Sequence, residues 1–278
     1  LKAKEIWDSA KPATDKHECL VAKQVKSFGL RVGQDGDLLI PVLNEGEEIR
    51  TLQRITAKGD KRFLSGGKTS GGFFIIPPAA ENTNRILYIA EGYATAASVH
   101  EATYAEVWIA FNCGNLKTVA QIARRRYPER QIVLAADFDK PQDKFPAPGG
   151  IGLAMAKEAA RLIGGKVAIP RREGFDKLDF NDLAQRMGTD EVRLQLQAAR
   201  EPEVKNPEAP KKSVTKVTGN NRPTTRVSGD SEGAEKVTSY VTGDAGNVTP
   251  DADDNMPQGF YFSGGHLWYE KHCGTDKE

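Results

Sequence analysis

Two stretches of sequence decide the fold, ILYIAEG at residues 86–92 and IVLAADFD at residues 132–139. Each begins with a short, continuous apolar run, which is typical of a strand buried on both faces of a parallel sheet. A helical pattern lies between the two stretches, and strands that alternate with single helices imply right-handed βαβ crossovers. The sequence therefore predicts an α/β fold in which helices flank a parallel sheet.

The same alternation continues on both sides of these stretches. Further strands are predicted over 107–111 and 167–169. We expect this region, residues 81–200, to form a single α/β domain. Its helices are predicted over 94–104 and 152–162, over a segment ending at Arg126, and over 180–187 and 190–200.

Residues 1–80 differ in pattern and are expected to form a small basic subdomain of mixed α and β structure. Helical character over 2–28 gives way to runs typical of an antiparallel sheet, at 38–42, 49–55 and 73–76. Between the last two runs lies a glycine-rich basic segment that includes Lys61, Arg62 and Lys68. Its spacing does not match an ATP-binding P-loop, so we favour a loop that touches phosphates, with an ordinary solvated turn as an equal alternative.

The C-terminal quarter of the chain is predicted to lack a core of its own. Residues 201–256 are rich in Pro, Gly, Ser, Thr and charged residues, so we expect a disordered linker. Residues 257–278 carry two aromatic runs around a Ser-Gly-Gly turn, which predict a β-hairpin. Since a lone hairpin is marginal in water, we expect it to be the truncated start of a further domain. The chain begins with Leu1, and we expect a fragment of a longer protein.

The composition excludes several classes of protein. The 278 residues hold 39 Lys and Arg against 38 Asp and Glu, with 3 Cys. No apolar run approaches the roughly 20 residues of a membrane span, so no membrane association is expected. The cysteines are odd in number and far apart, which excludes a disulfide framework or a zinc ribbon and favours a reducing, cytoplasmic location.

Acidic residues directly follow several predicted strands. Glu91 follows the first, Asp137 and Asp139 follow the third, and Asp179 and Asp182 come after the fourth. Ligand sites in parallel α/β sheets lie at the carboxyl ends of the strands, so we expect these side chains to converge. Converging carboxylates repel one another unless cations lie between them, and oxygen ligands favour Mg²⁺ or Mn²⁺.

A metal site of this kind suits phosphoryl or nucleotidyl transfer, because metal ions orient the reacting oxygens and neutralise charge on phosphorus. Glu91 is expected to assist proton transfer. For any one of these acids the alternative is a favourable charge in the first turn of a helix. Three groups at three strand ends make that alternative the weaker one.

Two groups of basic residues are candidate contacts for an anionic partner. Arg171 and Arg172 follow the fourth strand and share an edge with the acids, where they could meet a triphosphate. The run 124–126 fits either a grip on a nucleic-acid backbone or a cationic helix end favoured by the helix dipole. Both explanations of this run stay open at this point.

The strand followed by Glu91-Gly92, with a second strand followed by Asp137-Phe138-Asp139 further along the chain, resembles the Toprim domain of bacterial-type primases and topoisomerases. The version here is similar to DNA primases of plasmids, phages and integrative elements. Residues 179–183 resemble an Asp-x-Asn-Asp element of those proteins, and residues 59–66 resemble the basic segment before their Toprim fold.

The resemblance implies a nucleotidyltransferase of the DNA primase type. Glu91, Asp137 and Asp139 would be the catalytic acids and would hold Mg²⁺ or Mn²⁺, with Asp179 and Asp182 in support. The implied activity is synthesis of short RNA primers on single-stranded DNA during replication of a mobile element. The implied partners are the template, ribonucleoside triphosphates and a replicative helicase. The template or the triphosphate would be bound by the basic residues Lys61, Arg62, Lys68, Arg171 and Arg172.

Two other functions remain open. The same metal site in a Toprim nuclease would cut phosphodiesters. A nucleic-acid-binding module without catalysis is the second alternative, and it is favoured by Phe138, because the family often has glycine between the two aspartates.

Overall fold

The computed structural model describes residues 2–80, 82, 85–140, 149–171, 173–203, 260–263 and 266–269. Most of the predicted linker over 201–256 lies outside these residues, so its predicted disorder stays a prediction. In the described part of the chain, no helix has both the length and the apolar character needed to cross a membrane.

The first part of the chain forms the predicted antiparallel sheet with two short helices. The helical character expected over 2–28 is interrupted by a strand at Lys11–Pro12, which pairs with Arg31–Val32. Lys61 and Arg62, expected in a loop, lie in the strand Lys61–Phe63, because its backbone pairs with the strand before it. Its strands pair in the order β1-β2-β3-β4-β5. The turn between β3 and β4 is closed by the bond from Asn44 N to Glu48 O. The elements are α1 (Lys2–Ser9), β1 (Lys11–Pro12), α2 (Glu18–Lys23), β2 (Arg31–Val32), β3 (Leu38–Leu43), β4 (Ile49–Ile55) and β5 (Lys61–Phe63).

A second five-stranded sheet carries the predicted α/β pattern. Its order is β11-β9-β7-β8-β6, and its first four strands are parallel. The strands of this part of the chain are β6 (Phe74–Ile76), β7 (Leu87–Ala90), β8 (Glu106–Ile109), β9 (Ile132–Ala135), β10 (Phe138–Asp139), β11 (Lys166–Ala168) and β12 (Lys177–Leu178). The short strands β10 and β12 pair with each other in a separate antiparallel ribbon.

Helices cover both faces of this sheet because its strands are apolar on both sides. In β7, Leu87 and Ile89 belong to one core cluster, and Tyr88 and Ala90 belong to another. Successive side chains of a strand point to opposite faces, so each cluster needs its own helical layer. The helices are α3 (Tyr93–Thr103), α4 (Leu116–Arg126), α5 (Gly150–Ile163), α6 (Phe180–Met187) and α7 (Thr189–Gln197). Residues of α4 and α5 enter the first cluster, and residues of α3, α6 and α7 enter the second.

The structure differs from the expected sheet at one edge. The run at 73–76, which we grouped with the N-terminal subdomain, supplies β6, and β6 pairs antiparallel with β8. Phe73 also exchanges two backbone hydrogen bonds with Leu43, at 2.8 and 3.1 Å, and so links the two sheets. The opposite edge is covered by the segment after α7, because Val167 of β11 exchanges two backbone bonds with Arg200.

A buried asparagine joins the N-terminal region to the second sheet. Asn115 lies in the 3₁₀ turn Cys113–Asn115 before α4 and is 2% exposed. Its Oδ1 accepts a hydrogen bond from Gly71 N at 2.8 Å, and its Nδ2 donates to Gly72 O and Ala110 O. One side chain thereby satisfies three backbone groups from two segments that are far apart in sequence.

The predicted C-terminal hairpin is confirmed. Strands β13 (Phe260–Ser263) and β14 (His266–Tyr269) pair antiparallel, with Ser263 opposite His266. Whether the hairpin begins a further domain stays a prediction, as do the domain boundaries at residues 80, 200 and 256.

The buried ion pair between Glu106 of β8 and Arg130 should contribute strongly to stability. Glu106 accepts hydrogen bonds from Arg130 Nη1 and from Trp108 Nε1, both at 2.6 Å, and it is 6% exposed. Removing one partner of a buried pair leaves the other charge uncompensated. We expect Glu106→Ala to lower the free energy of unfolding by about 3–5 kcal/mol in urea denaturation.

The control for this variant is Glu158→Ala. Glu158 pairs with Lys117 at 2.8 Å, but both side chains are about half exposed. The loss there should stay below about 1 kcal/mol. Equal losses in the two variants would contradict the structural role of Glu106.

A buried histidine should make stability depend on pH. Burial lowers the pKa of His100, and the charge of Lys26 acts in the same direction, against the opposing effect of the hydrogen bond with Ala105 O. The unfolded chain then binds more protons than the folded one in the interval between the lowered pKa and the ordinary value near 6.5. The contribution of His100 to the free energy of unfolding is therefore fully present above pH 6.5 and declines as the pH falls through that interval.

The test is urea denaturation at pH values from 7.5 to 5. The contribution of one histidine has a slope of at most about 1.4 kcal/mol per pH unit. His100→Gln should lower stability at pH 7.5 and reduce this slope. An unchanged slope in the variant would show that His100 is not its source.

Candidate active site

Glu91 and Asp137 lie at the carboxyl ends of adjacent parallel strands. Strands β7 and β9 pair with Ala90 opposite Ala135, so the residues that follow them leave the sheet side by side. Both acids border Gly152 in the first turn of α5. A methyl group placed on Gly152 would lie 3.7 Å from Glu91 Oε2 and 3.8 Å from Asp137 Cβ. The structure therefore brings these two predicted acids together, as their positions after the strands indicated.

Asp139 borders the same helix at Gly150, two residues before Gly152. It belongs to the two-residue strand β10, where it pairs with Lys177, and its N–H donates to Gly149 O at 3.1 Å. Gly150 has φ +77°, and a Cβ there would lie 2.8 Å from Asp139 Cβ. A side chain at Gly150 would thus meet both a strained backbone and the aspartate. All three predicted catalytic acids consequently lie around the start of α5, where the positive end of the helix dipole favours negative charge.

Asp179 and Asp182 form the capping box of α6. Asp179 Oδ1 accepts a hydrogen bond from Asp182 N at 2.8 Å, and Asp182 Oδ2 accepts one from Asp179 N at 3.3 Å. Burial raises the pKa of Asp182, and the neighbouring charge of Asp179 adds to the increase. Asp179 directly follows β12, and β12 pairs with β10, the strand that contains Asp139. The supporting metal role stays a prediction, and the structure shows a capping role for both residues.

The acids fit a Mg²⁺ site of the open kind. Within the described ranges, no three carboxylate, histidine or cysteine side chains are grouped closely enough to hold a metal ion between them. Mg²⁺ commonly keeps several waters and takes only one or two protein carboxylates together with substrate phosphates. Glu91 and Asp137 on either side of Gly152, with Asp139 beside Gly150, offer oxygen donors of that type.

Lys61 is a predicted basic residue that lies close to Gly92, the residue that follows Glu91. Its Nζ lies 3.6 Å from the position that a Cβ of Gly92 would take, next to Glu91. On the same face of β5, the ring of Phe63 meets the ring of Phe111 edge-on, with centroids 5.8 Å apart. Alternate residues of a strand face opposite sides, so Arg62 points away from this contact.

No contact with the acids is seen for the other predicted basic residues that the structure describes. Lys68 is exposed in the loop between β5 and β6, and Arg171 is exposed after β11. Arg172 lies outside the described residues. Gly67, before Lys68, has a packing explanation, because a Cβ there would lie 2.1 Å from Thr51 Oγ1. The loop leads into a strand and not a helix, which agrees with the rejection of a P-loop.

The arginines at the end of α4 bind protein groups. Arg124 donates to Ile163 O, Pro128 O and Arg130 O at 2.8–2.9 Å. Arg125 pairs with Glu45 and Arg126 pairs with Glu47 across the turn between β3 and β4. These contacts favour the helix-end explanation of the run over a nucleic-acid grip.

Asn181 belongs to the Asp-x-Asn-Asp element noted in the sequence, but sequence reasoning gave it no role, and the structure shows that it positions α6. Asn181 is fully buried, and its Nδ2 donates to Lys23 O at 2.7 Å and to Ser98 Oγ at 3.0 Å. It thereby ties the helix that Asp179 caps to α2 and α3. Sequence reasoning also gave no role to the glycines at 149, 150 and 152. Their clustering at the start of an apolar helix was the one signal of their importance in the sequence.

The fold and the acids define the class of the α/β region. Residues 86–190 match the family model described as a Toprim domain, which confirms the fold class and the resemblance stated from the sequence.

Two relatives from Escherichia coli carry the name DNA primase TraC. One is 34% identical over 144 residues, covering 51% of this chain and 14% of the relative, and the other is 33% identical over 154 residues, covering 54% and 11%. The chain thus spans about one seventh or less of the curated relatives it matches. These matches confirm the similarity to Toprim-containing DNA primases.

Two solved primase structures are among the matches to this chain. The primase fragment of the bacteriophage T7 primase-helicase protein has a TM-score of 0.46 and 16% identity, covering 68% of this chain and 80% of that one. The Aquifex aeolicus primase, comprising zinc-binding and RNA polymerase domains, has a TM-score of 0.45 and 14% identity, covering 69% and 50%.

Two glycine variants should separate backbone strain from simple space filling at the start of α5. Gly150→Ala forces a side chain into a positive-φ position 2.8 Å from Asp139 Cβ, and we expect a loss of about 1–3 kcal/mol in urea denaturation. Gly152→Ala meets only ordinary contacts and replaces glycine inside a helix. Its stability should stay within about 1 kcal/mol of the parent protein. A larger loss for Gly152→Ala than for Gly150→Ala would contradict the geometry.

Proposed function

We propose that this chain is the nucleotidyl-transfer region of a DNA primase that makes short RNA primers on single-stranded DNA with the help of Mg²⁺ or Mn²⁺. The observation that carries the proposal is the meeting of Glu91 and Asp137 at Gly152, with Asp139 beside Gly150, at the start of α5. The similarity to DNA primases named TraC supports the choice of reaction. The enzyme would serve replication of a mobile element in the cytoplasm.

The proposed reaction joins a ribonucleotide 3′-hydroxyl to the α-phosphate of an incoming triphosphate and releases diphosphate. Asp137 and Asp139 are the proposed metal ligands, with Asp179 and Asp182 in support. A metal ion bound there would orient the reacting oxygens and neutralise charge on the phosphates. Glu91 is the proposed acceptor of the proton that the 3′-hydroxyl loses, directly or through a water.

The N-terminal region supplies the proposed contacts with the polyanionic substrates. Lys61 lies beside the turn at Gly92 and is therefore the cation best placed to meet a phosphate held at the acids. Arg62, Lys68, Arg171 and Arg172 are further candidates for contacts with template or triphosphate. The domain roles follow from this arrangement. Residues 1–80, apart from the run that supplies β6 of the second sheet, are the proposed basic subdomain, and residues 81–200 are the proposed catalytic domain. A replicative helicase is the proposed protein partner.

Primer synthesis tests the proposal directly. The protein is incubated with single-stranded template, labelled ribonucleoside triphosphates and Mg²⁺, and short oligomers are resolved on a gel. We expect Asp139→Ala to reduce their yield at least about 100-fold, because it removes a charge that acts on the transition state. Template binding should persist in the variant.

The matched control is Asp190→Asn. The side chain of Asp190 is 90% exposed at the start of α7, so oligomer yield should not change. Nicked or shortened template without oligomers would support the nuclease alternative. Binding without any reaction, unaffected by Asp139→Ala, would support the non-catalytic module.

A further inference from the structure

A hollow of about 690 Å³ opens beside the acids, on the side of β10 and β11. Its size falls within the range of small-molecule sites, about 300–1,000 Å³. Most of the groups around it are apolar, and two are aromatic. Its lining includes Phe138, Leu153, Lys157, Ile169, Arg171 and Phe175.

The hollow adjoins the candidate active site through shared residues. Phe138 stands between Asp137 and Asp139, and Gly149, also on the lining, accepts the hydrogen bond of Asp139 N. Leu153 directly follows Gly152, which borders both Glu91 and Asp137. A ligand whose phosphates lie at the acids is therefore within reach of the hollow.

The walls of the hollow are held in place by neighbouring groups. Arg171 N donates to Gln195 Oε1 at 2.7 Å, and Gln195 Nε2 donates back to Arg171 O at 3.0 Å. The guanidinium carbon of Arg186 lies 4.5 Å from the centroid of the Phe175 ring. Lys140 N donates to Asp176 O at 2.5 Å and so connects β10 to the segment that carries Phe175.

Two cations border the apolar lining. Among the residues that the structure describes, neither Lys157 nor Arg171 forms an ion pair. Glu173 adds one carboxylate to the same rim. This lining matches a ligand with a flat ring and an anionic tail. The ring can stack on the aromatic side chains, as nucleic-acid bases do, and the two cations can bind phosphates.

We propose that this hollow is a subsite for the base of a nucleoside triphosphate whose phosphates reach Lys157, Arg171 and the acids. The inference rests on the proposed function and extends it, because it assigns the base to a particular set of side chains. Phe138 is the stacking residue, and its place between the two aspartates couples recognition of the base to the position of the phosphates.

The test compares two ligands that differ in the presence of a nucleoside. Binding of ATP and of inorganic tripolyphosphate is measured by calorimetry in Mg²⁺. The wild-type chain should bind ATP more tightly than tripolyphosphate. Phe138→Ala should weaken ATP binding about 5- to 100-fold, which corresponds to the loss of one stacked base, and should leave tripolyphosphate binding unchanged.

Three further variants define the outcome. Phe138→Leu keeps the apolar volume without the ring, and it should weaken ATP binding in the same direction if the fold is intact. Tyr104→Ala removes an exposed aromatic side chain just after α3 and should change the binding of neither ligand. Asp139→Ala should weaken both ligands alike, because it acts on the phosphates.

The results separate failure of the subsite from failure of the proposed function. If the wild-type chain binds both ligands equally, or if Phe138→Ala leaves their ratio unchanged, the subsite is overturned while the proposed function stands. If Phe138→Ala weakens binding of a single-stranded oligonucleotide and not of ATP, the hollow belongs to the template and the proposal is wrong. If the wild-type chain binds neither ligand, both proposals fail.

Discussion

The parallel pairing of β7 with β9 is the constraint on which the rest of the structure depends. Its register sets Ala90 opposite Ala135, so the two chains leave the sheet together and bring acidic residues to one place. Like charges in such proximity destabilise the folded state unless something compensates them. The start of α5 supplies part of the compensation through its dipole, and glycines there leave room for the carboxylates. The apolar faces of the sheet thus provide the stability that holds an electrostatically unfavourable arrangement.

Much of the α/β region could be predicted because its information is local. The strand at 132–136 and the helix at 180–187 follow from apolar runs and caps, and the observed elements agree within one residue. Glu91 and Asp137 were found because each directly follows such a run. The strand at 73–76 was predicted, but its place in the second sheet was not, because its pairing with β8 joins segments about 30 residues apart and an apolar run does not specify its partner strand.

The parts of the site that escaped prediction depend on close approach between distant segments. Gly67 is required by contact with Thr51, and Gly150 by contact with Asp139, and neither contact has a sequence signature. The hydrogen bonds of Asn181 also lack a sequence signature, because its partners Lys23 and Ser98 are remote in sequence. Patterns of apolar residues specify which face of an element is buried, but they do not specify which backbone group a buried polar side chain will meet.

The borders of the second sheet have a consequence for self-association. An unpaired edge strand exposes a row of N–H and C=O groups, and a strand of another chain can pair with them. Here Arg200 occupies the outer side of β11 at Val167, and Phe73, just before β6, is bonded to Leu43 of the neighbouring sheet. Copies of this chain at high local concentration would therefore meet through side chains at these positions, since the backbone groups there are already engaged within each molecule.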